Sequence, residues 1–467
     1  MGKLKKWRTL DREKEADTAD SVLDPVRWKQ RRKAAGLVFV SFGWGFTITG
    51  MFIGSQVAMA SDAMEMAKAM IVGNAILFLI GLTVGYPAYR TGCNNPLMFR
   101  MIFGNKGWII PALVIVGTGL GWQGSLTGMF PSVIAGNDFG AGYFLIGLAG
   151  GCLVVFAAYV GIKGLETVGN AAVLFLVIAG AGCILYNVST AGGLSSVIEL
   201  ANRPKVETLP TPRIIDAIVG SWAVGAMFAG DFTRFSKRGW VVIMFMVINF
   251  CFAQPLLHFL GLTGTLVQGD HVFTNYIYGA SMIAYVFCMI AMIFAIWTTC
   301  NSNLYFTQVP FANLAKKSMK VSAVVIGGLG TLMAAFGFFN YFGTFVNVLA
   351  SIVPPLLGPW AMDYYVINKM KFDVKLISKL PDFNIPALLA YATGIVAPQI
   401  FTPELLPVAV WNILVSSAAY LIYYGIARSM GKKSGYSHVA HLGQGPYNPE
   451  QRNKAEMKAE TAVIANE

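Results

Sequence analysis

Charge is scarce in this sequence. Asp, Glu, Lys and Arg make up 12% of the 467 residues, about half of the roughly 25% carried by a soluble domain. Inside the long apolar runs it all but disappears: Asp216 opens one run, Asp231 closes it, Asp363 ends another, and His258 is the one ionisable side chain well within. A membrane-embedded hydrolase or protease needs clustered His, Asp, Glu or a nucleophile pair, and the sequence offers no such cluster. A strongly charged substrate is excluded on the same ground, because nothing at depth would balance it. Cysteines are few and scattered, at Cys93, Cys152, Cys183, Cys251, Cys288 and Cys300, which indicates neither a disulfide frame nor a metal cluster. The first apolar run starts too late and continues too long to be expected as a cleaved leader. These absences predict a protein that is not an enzyme and carries no cofactor or resident metal.

What is abundant is apolar material, 55% of the residues. Length alone would allow about three soluble domains, but the apolar residues are not divided among three cores. They fall in runs such as 34–60, 66–89, 108–134, 240–266 and 408–426, several reaching the roughly 20 residues that cross a bilayer. In lipid the backbone must satisfy its own hydrogen bonds, so runs of this length are helices. About twelve spans are predicted, beginning near Ala34, Met66, Trp108, Tyr143, Val168, Ile214, Trp240, Ala280, Val321, Tyr341, Ile385 and Val408. The segment before Ala34 is rich in Lys and Arg, and alternate loops onward carry residues such as Arg90, Arg100, Lys163, Arg234, Lys316, Lys317, Lys369 and Lys375. The intervening loops hold Asp62, Glu65, Asp138, Asp270 and Glu404 with few cations. That asymmetry puts the N-terminus in the cytoplasm, and an even number of spans returns the C-terminus there. The net charge of +12 then reflects this bias and attraction to anionic lipid; the bilayer is the partner implied, and nucleic acid is not.

The interior of the spans offers glycine, hydroxyls, amides and tryptophan. The first span contains Phe42-Gly43-Trp44-Gly45-Phe46-Thr47-Ile48-Thr49-Gly50 and the sixth contains Gly220-Ser221-Trp222-Ala223-Val224-Gly225. Mid-span glycines permit a helix to unwind and free its carbonyls for a cation or a substrate; they also serve as close-packing surfaces. Their positions, first and sixth, match in two successive sets of five spans, and a five-helix unit repeats in inverted orientation. Paired glycine breaks of this kind point to a transporter's binding site. The eighth span supplies Trp297-Thr298-Thr299-Cys300-Asn301-Ser302-Asn303, whose hydroxyls, with unwound carbonyls, make an uncharged oxygen cage suited to a hard monovalent cation. The alternative is hydrogen bonding between helices, which also accounts for a lone His258. The third span adds Gly119-Leu120-Gly121-Trp122-Gln123-Gly124, with an aromatic surface on which a planar ligand can stack.

These motifs resemble the nucleobase–cation symporters, in particular their cytosine-permease-like branch. The specific pieces are Gly-Asp-Phe-Thr-Arg-Phe from Gly230, Ile-Trp-Thr-Thr from Ile296 with Asn-Leu-Tyr ending at Tyr305, Pro-Phe-Ala-Asn-Leu from Pro310, and Ile-Val-Pro-Pro from Ile352 with Asp-Tyr-Tyr ending at Tyr365. The resemblance implies an all-α polytopic membrane protein of the leucine-transporter-like fold, two inverted five-helix repeats and two further helices. The corresponding segments are a cytoplasmic N-terminal stretch 1–33, a first repeat 34–188, a second 213–366, two additional helices 384–427 and a cytoplasmic tail 428–467. It implies that Trp122 and Trp222 stack on a planar heterocycle, with Ser221, Gln123, Thr47, Cys300 and Asn301 as further substrate contacts. Gly43 and Phe46 would supply carbonyls, and Thr298 and Thr299 hydroxyls, to the coupling cation. Asp231 and Arg234, three apart at a helix end, would anchor an inner gate; a charged helix end at the interface is the equal alternative.

The sequence departs from the family pattern in three places. Gln123 adjoins the third-span Trp, Val224 stands where Ser is frequent, and Cys300 where Asn is common. Such changes remove or move groups that read a base edge, which favours a neutral planar heterocycle over cytosine itself. The function implied is secondary active import of a nucleobase or related heterocycle with Na⁺ or H⁺, by alternating access. A carrier of a hydantoin, vitamin precursor or amino acid on the same fold is the nearest alternative. A non-transporting receptor is a more distant one, since the tail is rich in Gly, Lys and Glu, reads as disordered and contains no output domain. No obligate protein partner is indicated.

Overall fold

The computed structural model describes residues 23–442 apart from 137, 161 and 433, and leaves the side chains of 29, 39 and 160–173 undescribed. The beginning of the expected segment 1–33, the end of the expected tail 428–467 and the side chain of Lys163 therefore lie outside the described residues.

The first apolar run makes two helices, α1 (Ala34–Gly45) and α2 (Thr49–Ala60), which meet at 48°. They are followed by α3 (Ala63–Thr91), a short α4 (Asn95–Phe103), α5 (Ile109–Ala135), α6 (Ala141–Val160), α7 (Ile162–Ala191) and a short α8 (Leu194–Ala201). Next come α9 (Thr211–Thr233), α10 (Gly239–Gln268), a short α11 (Phe273–Ile277), α12 (Met282–Ala315) and α13 (Met319–Ala335). The chain continues through α14 (Phe338–Ile367), α15 (Ile385–Ile400) and α16 (Val408–Ser429). The predicted starts agree closely, the fifth span excepted, whose helix begins at Ile162 and not near Val168. No strand occurs among the described residues, where a single bridge joins Arg32 to Ser236.

Among the described residues nine helices are long and apolar enough to cross a membrane, and the bent α1–α2 pair makes a tenth if it is one span. The helices α13 and α15 have 17 and 16 residues. At 1.5 Å per residue they reach about 25 Å, short of the roughly 30 Å hydrocarbon core, so the expected count of twelve rests on these two. The outside of the bundle is apolar: Ile71, Leu79, Phe156, Leu185 and Ile283 stand exposed, the last by 84%. Such a surface is stable in lipid and not in water. This is a multi-pass, all-α membrane protein.

Two features of the sequence behave differently from expectation. The sixth-span glycines do not break α9, which runs unbroken from Thr211 to Thr233. They let neighbours in: a Cβ on Gly220 would lie 3.1 Å from Ala350 Cβ, and one on Gly225 would lie 2.4 Å from the Trp222 ring. At Gly220 glycine serves close packing between helices, as small residues do where burial of apolar area gives no driving force, and at Gly225 it makes room for a ring of the same helix. The same logic joins α9 to α3, where Gly73 faces Ile218 and Gly85 faces Thr233. Second, the start of the expected disordered tail is packed. Tyr436 is buried, its hydroxyl donates to Lys371 O at 3.0 Å, and its ring lies 4.6 Å from Phe372. An aromatic anchor offsets the polar composition around it. His258 is fully buried with its Nδ1 3.4 Å from Asn74 Nδ2, a contact between α3 and α10.

Candidate functional site

The first span breaks after Gly45. Normal helical bonding would send the Thr47 amide to Gly43 O and the Gly50 amide to Phe46 O. The Thr47 amide instead donates to Gly45 O at 3.0 Å, and the Gly50 amide to Thr47 O at 3.1 Å. Gly43 and Phe46 thus lose their regular donors, the property expected of a carbonyl pair available to a cation. On α12, Thr298 Oγ1 donates to Phe294 O and Ala295 O, and Thr299 Oγ1 donates to Ala295 O at 2.7 Å. Both hydroxyl hydrogens are directed back into α12, which leaves oxygen lone pairs as the outward-facing groups. The two helices α1 and α12 are in contact.

Beside the break lies a cavity whose empty space, including the part open to the outside, is about 430 Å³. Of the expected residues, Thr47, Trp122, Ser221, Trp222 and Thr299 line it. Each tryptophan is buried and backed edge-on by other rings. Trp122 meets Phe342 at 5.7 Å and Phe345 at 5.6 Å, both from α14. Trp222 meets Trp44 at 5.0 Å and Phe250 at 5.8 Å. Edge-to-face packing of this kind holds a ring in one orientation. Neither indole N–H has a partner among the described residues, so both remain donors.

Gln123, Cys300 and Asn301 are not among the residues that line the cavity. Helix periodicity is the reason. On α12 the lining residues are Thr299, Ser302, Asn303 and Phe306, the i, i+3, i+4, i+7 stripe of one face. Cys300 and Asn301 are rotated off that stripe; Cys300 is fully buried and accepts from Thr127 Oγ1 at 3.8 Å. On α5 the stripe is Trp122 and Leu126, so Gln123 turns away. A Cβ on Gly330 would sit 2.4 Å from its Cγ, which shows how tightly it packs against α13. Its Oε1 nonetheless accepts from Asn303 Nδ2 at 2.9 Å, and the same nitrogen donates to Gly119 O at 3.0 Å. Gln123 therefore holds a residue that does face the cavity. Gly43, Phe46 and Thr298 lie outside the lining, at the break and on the neighbouring face of α12.

Sequence reasoning missed Trp44, Thr49, Phe228 and Phe306. Trp44 and Phe306 lie 6.2 Å apart, and Phe228 stacks on Phe306 at 4.8 Å, so these rings floor the cavity. Their signal was present in part: Phe306 falls seven residues after Thr299, and Phe228 three after Gly225, which also lines the cavity. Farther along α9, Asp231 and Arg234 are both fully buried, not exposed at an interface. Asp231 Oδ1 accepts from the Asn95 amide at 2.9 Å, and Arg234 Nε donates to Asp231 O at 3.2 Å. Nearby, Arg31 from the stretch before α1 donates to Tyr89 O at 2.7 Å and Ser236 O at 2.9 Å. These contacts tie the ends of α1, α3, α4 and α9 together on one side of the cavity.

Residues 25–425 match the family described as permease for cytosine/purines, uracil, thiamine, allantoin. The cytosine permease of Escherichia coli is 25% identical over 398 residues, which is 85% of this chain and 92% of that protein. Among solved structures, Mhp1, a nucleobase-cation-symport-1 family transporter in a closed conformation with bromovinylhydantoin bound, superposes with a TM-score of 0.75 at 19% identity. The match covers 89% of this chain and 98% of that one. A Na⁺-coupled sialic acid symporter in its substrate-bound outward-open state gives a TM-score of 0.63 at 13% identity, over 89% and 91% of the two chains. The fold is the leucine-transporter-like one.

Proposed function

The chain belongs to the family of permeases for cytosine/purines, uracil, thiamine and allantoin, and we propose that it imports a neutral planar heterocycle together with Na⁺. It is a secondary transporter of nucleobase type and not an enzyme. The observation that carries the substrate reading is the pair of buried tryptophans, each braced edge-on, at one cavity of about 430 Å³. Stacking of a flat ring on these faces is the reading that the pair supports. No Lys, Arg, Asp or Glu among the described residues lines the cavity, so a neutral ligand meets no uncompensated charge. Cytosine is transported by the bacterial permease, and a hydantoin is bound by Mhp1; both belong to the ligand class proposed.

The coupling ion is assigned to Na⁺ because the groups at the break are oxygens: the Gly43 and Phe46 carbonyls and the Thr298 and Thr299 hydroxyls. All are uncharged ligands of the type hard cations prefer, and none takes up a proton near neutral pH. Asp231 and Arg234 are taken as the inner gate, on the side that the Lys- and Arg-rich loops assign to the cytoplasm along with both termini. The inverted repeats are assigned to 34–188 and 213–366, with 384–427 as the two added helices.

Purified protein is melted with cytosine, uracil, hydantoin and thiamine, in Na⁺ and in choline. A ligand that binds only the folded state raises the melting temperature by mass action. At least one heterocycle is expected to do so in Na⁺ and much less in choline. Trp122→Ala and Trp222→Ala should abolish the shift, and Thr298→Ala with Thr299→Val should abolish its Na⁺ dependence. An undiminished ligand shift in either tryptophan variant would refute the stacking reading, and equal shifts in choline would refute sodium.

A further inference from the structure

The helix α10 contains a widened turn, Val247–Ala253, with π-type bonding. Such turns insert a residue and re-aim the side chains beyond the insertion, and they recur at functional positions. This one directs two amides at the broken first span. Asn249 Nδ2 donates to Ser41 Oγ at 2.7 Å and to Phe245 O at 2.6 Å. Gln254 Nε2 donates to Gly45 O at 2.7 Å and to Thr47 Oγ1 at 3.2 Å. Both amides are fully buried. Gly45 makes the approach feasible, because a Cβ there would lie 2.4 Å from Asn249 Oδ1 and 2.9 Å from Ala253 Cβ.

The orientation of the Gln254 amide is fixed by chemistry. Gly45 O only accepts, so the group 2.7 Å from it is the nitrogen. Both of its hydrogens are then committed, one to Gly45 O and one to Thr47 Oγ1. Thr47 Oγ1 in turn lies 3.1 Å from Thr49 Oγ1, and both threonines line the cavity. The two hydroxyls have two hydrogens between them. One is used within the pair, whichever residue donates. Neither hydroxyl donates to any other acceptor among the described residues, and Gln254 only gives. One hydroxyl hydrogen is therefore left over at the cavity wall.

We infer that Gln254 is a positioning residue for substrate recognition: by donating to Thr47 Oγ1 it orients the Thr47–Thr49 pair, whose one unused hydroxyl hydrogen reads an acceptor atom on the ligand. In the same cavity lining, Asn303 gives the complementary group. Its two N–H bonds go to Gly119 O and Gln123 Oε1, leaving its carbonyl oxygen to take a donor. The ligand accommodated is a neutral ring with a carbonyl or bare ring nitrogen at one edge and an N–H at another. This rests on reading the cavity as the substrate site.

The probes are two pairs of similar size, cytosine with aniline and hydantoin with pyrrole, in which the second member keeps an N–H and has neither a carbonyl nor a bare ring nitrogen. Affinities are measured by thermal shift and by displacement in wild type, Gln254→Leu, Thr49→Val and Thr49→Ser. In wild type the carbonyl-bearing member of the pair that binds should be favoured about tenfold or more, since a site built around a donor rejects a ligand without the acceptor. Gln254→Leu and Thr49→Val should weaken the carbonyl-bearing member about tenfold and change the other by less than roughly threefold, so that discrimination collapses. Thr49→Ser keeps the hydroxyl and should retain it. Equal weakening of both members would mean that Gln254 serves only the fold, and unchanged discrimination in Thr49→Val would overturn the proposal even if Gln254→Leu does not fold. Absence of binding by every probe to wild type would overturn the substrate reading itself and this inference with it.

Discussion

The first and sixth spans carry similar glycine-rich sequences and meet different fates. Gly43-Trp44-Gly45 precedes a 48° break, whereas Gly220-Ser221-Trp222-Ala223-Val224-Gly225 sits inside a continuous helix. Glycine content does not separate them. What does is the environment of the freed backbone groups. A buried carbonyl without a partner costs about 1–3 kcal/mol, so a break inside a membrane persists only where something else satisfies the backbone. At the first span the amide of Gln254 takes Gly45 O, and Gly43 O and Phe46 O remain for the proposed cation. Along 220–225 no side-chain amide among the described residues reaches the backbone. The glycines there admit Ala350 and the Trp222 ring, which close packing rewards only if the helix stays regular. The break thus belongs to polar chemistry and the unbroken helix to the stacking wall.

The sharpest way to break this comparison is Gly45→Ala. The added methyl would lie 2.4 Å from Asn249 Oδ1 and 2.9 Å from Ala253 Cβ, and overpacking of this kind costs typically about 1–3 kcal/mol. Uptake in proteoliposomes should be lost and the melting temperature should fall, because relieving the clash pulls α10 and its two amides off the break. Normal uptake in Gly45→Ala would show that the amide grip is dispensable.

Gly225→Ala separates the stacking wall from the fold. The new Cβ would meet the Trp222 ring at 2.4 Å, so the ring must move while α9 is retained. Alanine favours a helix interior over glycine by about 0.8–1.0 kcal/mol, which offsets part of the strain. Melting temperature should change little, and ligand affinity should fall about tenfold. If instead the protein unfolds with affinity intact in the surviving fraction, Gly225 serves α9 and not the orientation of Trp222.

The contrast also marks how far the sequence was legible. Span positions followed from hydropathy, because lipid leaves the backbone no choice but helix. The roles of the tryptophans, Thr47, Ser221 and Thr299 came from the family resemblance, laid on a charge-poor interior, and these residues line one cavity. Gln123, Cys300 and Asn301 fall outside that lining, since residue type ignores rotation about a helix. The stripe through Thr299 and Asn303 could have been drawn from 3.6-residue periodicity alone. The unbroken sixth span was not readable, since whether glycine unwinds or packs depends on Val346, Ala350 and other residues more than a hundred positions away. Gln254 and Asn249 were equally hidden: their role depends on the widened turn at Val247–Ala253, for which the apolar pattern carries no signal.

The smallest effect is expected at Gly220, and it tests the comparison from the other side. A Cβ there would lie 3.1 Å from Ala350 Cβ, 3.3 Å from Val346 O and 3.5 Å from Val346 Cγ1. These are tight contacts that a shift of a few tenths of an ångström relieves, and the neighbours are two methyls and one carbonyl of α14. If the sixth span works as a regular helix, Gly220→Ala gains helix propensity of about 0.8–1.0 kcal/mol and loses a similar amount to the contact. Melting temperature and ligand affinity should then stay close to wild type. If the span must unwind at this point during transport, alanine would oppose it, and uptake would fall sharply while equilibrium binding stayed normal. Measuring both in the same variant therefore decides whether the continuous α9 persists through the transport cycle or opens as the first span does.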